Sequence, residues 1–232
     1  MNRLAVIPAR GGSKRIPKKN IRDFCGRPMV THVLAAASEA GVFTKIHVST
    51  DSLEVSEKAA EAEFEPEFLR PAQLADDHTS ILEVGRFVVD EFKKRGEVFD
   101  TVAILYATSP LVSSRDLSKA CSLFEQGDMR KPLLAVTPFP APIEHAFRMS
   151  ETGELVPEKA ESLSQRTQDL PRSYYDAGMF AFYSSGFVQS SMGAGDFETF
   201  GGYVVPGFRV TDIDWPKDWE RAEKLYRALA ME

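Results

Sequence analysis

The sequence predicts an α/β domain whose sheet is mostly parallel and is covered by helices on both faces. Short apolar runs alternate with segments of helical periodicity between residues 4 and 137, a pattern typical of parallel sheets. The 232 residues, 43% of them hydrophobic, are also enough to bury a large core. Five prolines between residues 138 and 171 then interrupt the alternation within a polar stretch. We therefore predict one domain, residues 1–232, with an inserted arm at about residues 138–175.

The strands are predicted from apolar runs bounded by glycine, proline or polar residues. The first run ends where a glycine-rich segment begins at Arg10, so that segment follows the carboxyl end of a strand. Sheets of this class bind ligands at the carboxyl ends of their strands. The predicted strands, in chain order, are residues 4–9, 45–50, 101–108, 133–137, 179–183 and 203–206.

The helices are predicted from apolar residues that recur every three or four positions. Gly41 is a suitable end for the first helix, and Pro216 is the expected first residue of the last one. The apolar faces lie at residues 29–37, 52–63, 81–92, 117–124 and 219–229. Because such helices connect parallel strands, we expect them on both faces of the sheet.

The charge distribution favours a small anionic ligand over a polymeric one. The net charge is −6, but residues 10–27 contain seven cations and one acid, so the rest of the chain carries −12. A nucleic-acid surface needs cations spread over several elements, so no nucleic-acid partner is expected. No apolar run approaches the roughly 20 residues of a membrane-spanning helix, so no membrane partner is expected either. Two distant cysteines and an opening segment without signal-peptide features favour a cytoplasmic setting.

Residues 10–20, with the sequence RGGSKRIPKKN, form a glycine-rich basic loop. Its adjacent glycines allow backbone N–H groups to turn toward a ligand, its serine can donate a hydrogen bond, and its cations offset phosphate charge. The spacing is neither that of a P-loop nor that of a dinucleotide-binding fingerprint. We interpret the loop as a phosphate cradle, and the alternative is a solvated basic turn.

Asp212 and Asp214 lie just before the last predicted helix. In an extended chain alternate residues face the same way, so the two carboxylates share one side. Proteins bind Mg²⁺ through one or two carboxylates together with substrate phosphates and water. A magnesium site that faces the phosphate cradle is therefore predicted. The alternative is that the acids favour the positive end of the helix dipole.

Two further polar loops carry candidate binding residues. Arg70 stands alone ahead of a helix N-cap at Thr79 or Ser80, and capping by itself could explain that loop. Arg166 could bind a carboxylate through its guanidinium, and Gln168 could form hydrogen bonds with hydroxyl or acetamido groups. Alternatively, both could be ordinary polar residues of the arm. The residue spacing supports neither a zinc site nor a nucleophilic serine triad.

Taken together, these segments resemble one enzyme family. The loop IPARGGSKxIPxKN, STD after the second strand, RPAxLA, ATSP and a terminal DID resemble the cytidylyltransferases that activate sialic-acid-like sugars, over residues 4–229. YATSP, VTPFPAPI and YDAG are most similar to the pseudaminic acid branch of that family. The resemblance implies a Rossmann-like nucleotidyltransferase fold with a dimerisation arm. It also implies a Mg²⁺-dependent reaction of CTP with a nonulosonic acid that yields the CMP-sugar and pyrophosphate.

By position, the resemblance also assigns roles to individual residues. The triphosphate and ribose would lie against Arg10, Gly11, Gly12, Ser13, Lys14, Lys19 and Asn20. The cytidine would lie near Arg70, Thr79 and Ser80. The sugar would lie near Tyr106, Thr108, Ser109, Arg166, Gln168, Tyr175 and Asp176. Mg²⁺ would be held by Asp212 and Asp214, and catalysis would depend on these two acids with Arg10 and Lys19.

Several positions depart from the family pattern. Sialic acid synthetases usually have Gln in place of Tyr106 and Arg near Tyr175, a difference that favours pseudaminic acid as the sugar. N-acetylneuraminic and legionaminic acids are the alternative sugars, and a non-catalytic nucleotide-binding protein is the alternative outside enzymes. Within the branch, Met179 stands where Gln is expected, and Trp215 stands where Thr or Ser commonly precedes the proline. The sequence therefore predicts the reaction more closely than the sugar.

Overall fold

The computed structural model describes residues 1–127, 129–190 and 199–229. The strands are β1 (Arg3–Pro8), β2 (Asp23–Phe24), β3 (Arg27–Pro28), β4 (Lys45–Ser49), β5 (Thr101–Leu105), β6 (Leu133–Pro138), β7 (Phe147–Met149), β8 (Leu155–Pro157), β9 (Tyr174–Ser184) and β10 (Gly201–Val204). The α-helices are α1 (Met29–Glu39), α2 (Leu53–Glu61), α3 (Ile81–Lys94), α4 (Ser114–Gln126), α5 (Ser185–Ser190) and α6 (Pro216–Leu229). None of these helices combines the length and the hydropathy needed to cross a bilayer.

The central sheet has six strands in the order β10-β6-β9-β5-β1-β4. β1 pairs in parallel with β4 and β5, and β10 pairs in parallel with β6. β9 is antiparallel to both of its neighbours, β5 and β6, because the chain returns to the sheet from residues 139–173 and not through a crossover helix. The predicted α/β fold with a mostly parallel sheet is confirmed.

Helices cover both faces of the sheet, as the alternating burial of β1 illustrates. Ala5 and Ile7 pack into one cluster with α1, α2 and α4, whereas Leu4 and Val6 pack on the opposite face with α3 and α5. Each large apolar side chain that is fully buried contributes about 1.5 to 3 kcal/mol to folding. Because helices cover both faces of the sheet, a ligand can reach it only at the ends of the strands, where the connecting loops lie.

Three strands, β5, β9 and β10, have limits that differ from the predicted ones by two residues or more. β10 spans residues 201–204 and not 203–206, because its parallel pairing with β6 begins at Gly201, where a Cβ would lie 2.9 Å from Leu133 Cδ1. In the sequence alone, the adjacent glycines Gly201 and Gly202 are typical of a loop. β5 ends at residue 105 and not at 108, because the Tyr106 carbonyl accepts a hydrogen bond from the Ser109 N–H at 3.1 Å, which turns the chain.

The region of the predicted arm lies between β6 and β9. β9 itself begins at Tyr174, five residues before the predicted start at 179, because antiparallel pairing with β6 extends to Pro138. Between them, β7 and β8 pair with each other in a separate two-stranded sheet. Short 3₁₀ turns stand at Ile143–His145, Ala160–Ser162 and Thr167–Asp169. Residues 139–173 thus form a small substructure that projects from the central sheet.

Candidate active site

A cavity of about 600 Å³ lies beside the loops that follow β1 and β5, and we call it the basic cavity. Residues of the basic loop form one wall, and the segment that precedes α3 forms another. Seven of the residues assigned to the nucleotide from the sequence line it: Arg10, Ser13, Lys14, Lys19, Asn20, Arg70 and Thr79. The structure therefore brings two segments, about 60 residues apart in sequence, to one concave site.

A small apolar cluster fixes the basic loop against the segment that carries the two candidate metal ligands. Ile16 from the loop and Ile213 from that segment are both buried, and they share this cluster with Trp219 and Ala222 of α6. Because Ile213 stands between Asp212 and Asp214, its burial holds both acids next to the loop. Asp214 contacts the loop, whereas Asp212 lines a neighbouring cavity, and the magnesium site at these acids stays a prediction.

Asp214 bridges two cations of the basic loop. Its Oδ2 accepts a hydrogen bond from Arg15 Nη1 at 2.8 Å, and its Oδ1 lies 3.6 Å from Lys19 Nζ. Lys19 also donates to the Ile213 carbonyl at 2.7 Å. Asn20 closes the base of the loop by donating from Nδ2 to the Arg10 carbonyl at 2.9 Å. The loop is thus held in shape by polar contacts before any ligand binds.

Arg10 and Lys14 are paired with the opposite wall of the basic cavity. Arg10 Nη2 lies 2.7 Å from Asp77 Oδ1, and Lys14 Nζ lies 2.5 Å from Asp77 Oδ2. Lys14 and then Arg10 lower the pKa of the Asp77 carboxyl to about 2, so it is ionised throughout the neutral range. Asp77, which lines the basic cavity, and Asp214, which does not, thus each neutralise two cations of the basic loop.

Arg70 is buried beneath the basic cavity and lacks partners for part of its guanidinium. Its Nε and Nη2 have no hydrogen-bond partner among the described residues, and Asp51 Oδ1 is 3.9 Å from Nη2. Burial lowers the pKa of Arg70 from its usual value. A buried guanidinium with unused donors is costly unless a ligand accepts from it. This arrangement indicates a binding role for Arg70.

Three residues assigned to the nucleotide do not line the basic cavity, and two of them, Gly11 and Ser80, have structural roles. The N–H of Gly11 donates to Asp51 Oδ1 at 3.0 Å, and a Cβ at that position would lie 2.8 Å from Ser52 Cβ. Its N–H is therefore committed to the protein in this state. Gly12 is not among the residues that line the basic cavity. Ser80 forms the N-cap of α3, one of the two alternatives left open by the sequence.

A second cavity of about 450 Å³, which we call the acidic cavity, adjoins the basic cavity at Tyr106 and Thr108. Both residues line both cavities, as expected for residues between a nucleotide and a second substrate. Tyr175 and Asp176 line its far side. Burial, with smaller contributions from Asp176 and Asp212, raises the pKa of Tyr106 to about 12, so its hydroxyl keeps its proton and can donate a hydrogen bond.

Asp212 lines the acidic cavity and differs from Asp214 in its surroundings. It has no ion pair or hydrogen bond to the described residues, and burial together with the charge of Asp214 raises its pKa. A cation would relieve that repulsion, so the pair suits Mg²⁺, which takes its other ligands from phosphate and water. The described ranges hold no group of three or more His, Cys, Asp or Glu side chains able to bind a metal unaided.

Three residues assigned to the sugar lie elsewhere in the single chain. Ser109 is buried, and its hydroxyl donates to the Gly178 carbonyl at 2.9 Å, so it stabilises the loop after β5. Arg166 pairs with Asp169 at 2.8 Å within residues 139–173. Gln168 lines a separate hollow in that region. Within one chain, neither Arg166 nor Gln168 lines the basic or the acidic cavity.

Sequence reasoning also missed several residues of the site. Asp77 has no role among the sequence-based assignments, although the acidic pair Asp76 and Asp77 beside Arg70 is a usable signal. Arg15 was counted among the cations but given no role, and Arg221 of α6 contributes a cation to the acidic cavity. The contact between Asp51 and Gly11 could not be predicted from the sequence, where the STD segment that contains Asp51 is the only related signal.

Comparisons with known proteins agree with the fold and identify the family. The Cytidylyltransferase family model matches residues 4–230. A pseudaminic acid cytidylyltransferase of Campylobacter jejuni is 35% identical over 228 residues, which are 98% of this chain and 97% of the relative. A CMP-N,N'-diacetyllegionaminic acid synthase of Legionella pneumophila is 27% identical over 226 residues, which cover 97% and 96% of the two chains. The solved structure of a CMP:2-keto-3-deoxy-manno-octonic acid synthetase complexed with CTP has the same fold, with a TM-score of 0.72, 18% identity and coverage of 99% and 100%.

Proposed function

The chain belongs to the cytidylyltransferase family, and from this premise we propose that it transfers CMP from CTP to the anomeric hydroxyl of pseudaminic acid and releases pyrophosphate. The observation that carries the proposal is the junction of the two cavities at Tyr106 and Thr108. A basic cavity suits a triphosphate, and an adjoining cavity lined by hydroxyls and carboxylates suits a polyhydroxylated sugar acid. The bond to be formed would lie where the two cavities meet.

The basic cavity supplies the electrostatic part of the proposed reaction. Arg10, Lys14 and Lys19 line the basic cavity and would contact the phosphates, and Arg70 has unused donors that would bind the nucleotide. In the reaction the anomeric oxygen attacks the α-phosphorus in line, the bond between the α- and β-phosphates breaks, and the hydroxyl proton is released. No covalent enzyme intermediate is required. Fixed cations near the phosphates stabilise charge that develops there in the transition state.

The acidic cavity supplies the contacts for the second substrate. The protonated hydroxyl of Tyr106 can donate to a sugar oxygen, and Asp176 can accept from sugar hydroxyls or amide N–H groups. Asp176 is positioned by accepting the Gly178 N–H at 2.8 Å. We propose that this pair, with Tyr175, selects pseudaminic acid over the related sugars.

Asp212 and Asp214 are the residues that would hold Mg²⁺. When bound there, the ion supplies Lewis-acid stabilisation of charge on the phosphates. Asp214→Asn leaves one ligand of the pair, so activity should be strongly reduced and should respond weakly to added Mg²⁺. A magnesium titration of activity, with circular dichroism to verify the fold, measures this. A normal titration curve for Asp214→Asn would contradict the assignment.

We further propose that the protein acts as a cytoplasmic homodimer. The support for a dimer is the exposed apolar surface of residues 139–173, where Met149 and Leu155 are 67% and 55% exposed. In such a dimer the Arg166 and Gln168 of one protomer could approach the acidic cavity of the other. The cytoplasmic setting is supported by the two free cysteines, Cys25 and Cys121, and by the use of CTP.

The proposal is tested by the release of pyrophosphate from CTP and Mg²⁺ with each of three sugars offered separately: pseudaminic, N-acetylneuraminic and legionaminic acid. Selective turnover of pseudaminic acid is the expected result, and ATP, GTP and UTP serve as nucleotide controls. Turnover of another sugar would retain the reaction and contradict the roles given to Tyr106 and Tyr175. Saturable binding of CTP without turnover of any of these sugars would instead favour a non-catalytic nucleotide-binding protein.

A further inference from the structure

Asp77 occupies the position between two cations where a phosphate of the nucleotide is expected. On the basis of the proposed function, we propose that Asp77 is an internal counter-anion of the basic loop, which the triphosphate of CTP displaces on binding. It would thereby set the affinity of the site for phosphate-bearing ligands. No such role follows from the sequence motifs of the site.

The carboxylate of Asp77 makes contacts of the kind that a phosphate would make. One oxygen lies 2.7 Å from Arg10 Nη2 and the other lies 2.5 Å from Lys14 Nζ. A terminal phosphate uses the same donors in the same bridging manner. Because Arg10 and Lys14 cannot fully satisfy both anions at once, binding of the phosphates requires Asp77 to withdraw or to share its partners.

The segment that carries Asp77 is preorganised for this contact. Arg10 Nη1 donates to the backbone carbonyls of Asp76 at 2.7 Å and of Ala75 at 3.3 Å. The side chain of Asp76 points back into its own turn and accepts from the Thr79 N–H at 2.6 Å. These bonds hold the turn together. Within the described residues, the Asp77 side chain contacts only the two loop cations, Arg10 and Lys14. The Asp77 side chain can therefore rotate away without unfolding the turn.

The exposure of the contact makes displacement energetically feasible. The side chains of Arg10, Lys14 and Asp77 are 34%, 79% and 42% exposed, so water screens both ion pairs. Exposed ion pairs of this kind are weak. A triphosphate presents several charges at once and gains contacts with Lys19 and Arg70 as well. Small phosphate ligands lack the base and ribose contacts, but they meet the same competition from Asp77 as the triphosphate does.

The proposal predicts that removal of the charge tightens binding. Asp77→Asn keeps the side-chain volume but not the charge, and we expect the Kd for CTP to fall about three- to tenfold. Pyrophosphate should bind more tightly by a similar factor, whereas cytidine, which has no phosphate, should bind unchanged. Calorimetry in buffer with EDTA measures all three ligands without a contribution from a metal. Asp77→Ser should show the same gain if the effect is one of charge.

Glu54→Gln is the matched control, because Glu54 neutralises Lys18 of the same loop at 2.6 Å but does not line the basic cavity. Its Kd for CTP should equal that of the wild type. Unchanged or weaker binding of CTP by both Asp77 variants, with unchanged melting temperatures, would overturn the proposal and identify Asp77 as a residue that orients Arg10 and Lys14. Absence of CTP binding by the wild-type protein both in EDTA and with Mg²⁺ would contradict the proposed function instead.

Discussion

Arg70 indicates a binding site because part of its buried guanidinium lacks hydrogen-bond acceptors. Its backbone N–H donates to the Thr50 carbonyl at 2.7 Å, which anchors the chain, while two of its guanidinium nitrogens are buried without partners. Buried donors are nearly always satisfied in folded proteins. The missing acceptors are therefore expected on the ligand, and a cytosine base or a phosphate would provide them.

Arg70→Met should separate a binding role from a structural one. We expect kcat/KM for CTP to fall about 10- to 100-fold, because a hydrogen bond to a charged group contributes roughly 1.5 to 3 kcal/mol. The melting temperature should not fall, since the substitution removes an unsatisfied buried charge. Arg95→Met is the control, because Arg95 pairs with Glu91 at 2.9 Å and lies over the Phe68 ring. A loss of stability with normal kinetics in Arg70→Met would contradict the prediction.

His47 of β4 is a second buried group with an unused polar atom, and it should make stability depend on pH. Its ring stacks on Phe68 at 4.3 Å, its Nε2 has no partner among the described residues, and burial lowers its pKa to about 4. The folded pKa lies below the unfolded value near 6.5. Protonation therefore favours the unfolded state, and the contribution of His47 to stability is lost as the pH falls from about 6.5 to 4.

His47→Phe should flatten this dependence, because phenylalanine fills the aromatic cluster and binds no proton. Between pH 7 and pH 4, the wild type should lose up to about 3 kcal/mol more of its unfolding free energy than His47→Phe. Urea denaturation at the two pH values provides the measurement. His78→Gln, at an exposed position, is the control and should behave like the wild type. Parallel curves for the wild type and His47→Phe would show that His47 is not the acid-sensitive group.

At the scale of elements, helix α3 shows how capping and ligand contact are distributed between adjacent residues. Ser80 Oγ accepts the Glu83 N–H at 3.2 Å, and Glu83 Oε2 accepts the Ser80 N–H at 2.7 Å, which completes a capping box. Thr79, one residue earlier, lines the basic cavity. The sequence could not distinguish the two, because either residue type can serve as an N-cap.

Ser80→Ala should therefore destabilise the fold by about 1 kcal/mol through the loss of the cap and change the Kd for CTP by less than about twofold. Thermal unfolding and calorimetric titration with CTP measure the two effects. Ser113→Ala removes an equivalent capping box from α4, away from the basic cavity, and should show the same loss of stability. If Ser80→Ala binds CTP ten times more weakly without losing stability, the prediction is wrong and Ser80 contacts the cytidine, as the sequence motif implies.

The limits of sequence reasoning lie in the contacts between distant elements. The basic loop and the two aspartates are predictable because residue type and spacing carry the signal. Their actual pairing joins residues 199 positions apart, Arg15 and Asp214, and depends on burial of Ile16 and Ile213 in one cluster. The displaced start of β10 is also set by a contact between distant residues, since Gly201 pairs with Leu133 of β6. Packing, and not local propensity, decides such features.

At the scale of the whole molecule, the two cavities are built from loops that follow separate strands of one sheet. Tyr106 and Thr108 belong to the loop after β5, whereas the basic loop follows β1. This placement was predicted from the rule that such sheets bind ligands at strand carboxyl ends. Arg166 and Gln168 lie away from both cavities of the chain. In the proposed homodimer they would act across the subunit interface, and such a contact would leave no periodic pattern in the sequence.

The surface of β7 and β8 provides the test of the proposed homodimer. Two strands of three residues are marginally stable in water without a packing partner, and Met149, Leu155 and Val156 are each more than half exposed. Leu155→Lys places a charge in the proposed interface, so light scattering coupled to size-exclusion chromatography should show a shift from dimer to monomer. Leu53→Lys, at an exposed position on α2, is the control and should remain dimeric. In the Leu155→Lys monomer, Arg166 and Gln168 would no longer reach the site of a neighbouring protomer. The KM for the sugar should therefore rise, while the Kd for CTP stays unchanged. A dimeric Leu155→Lys protein with normal kinetics would place the interface elsewhere.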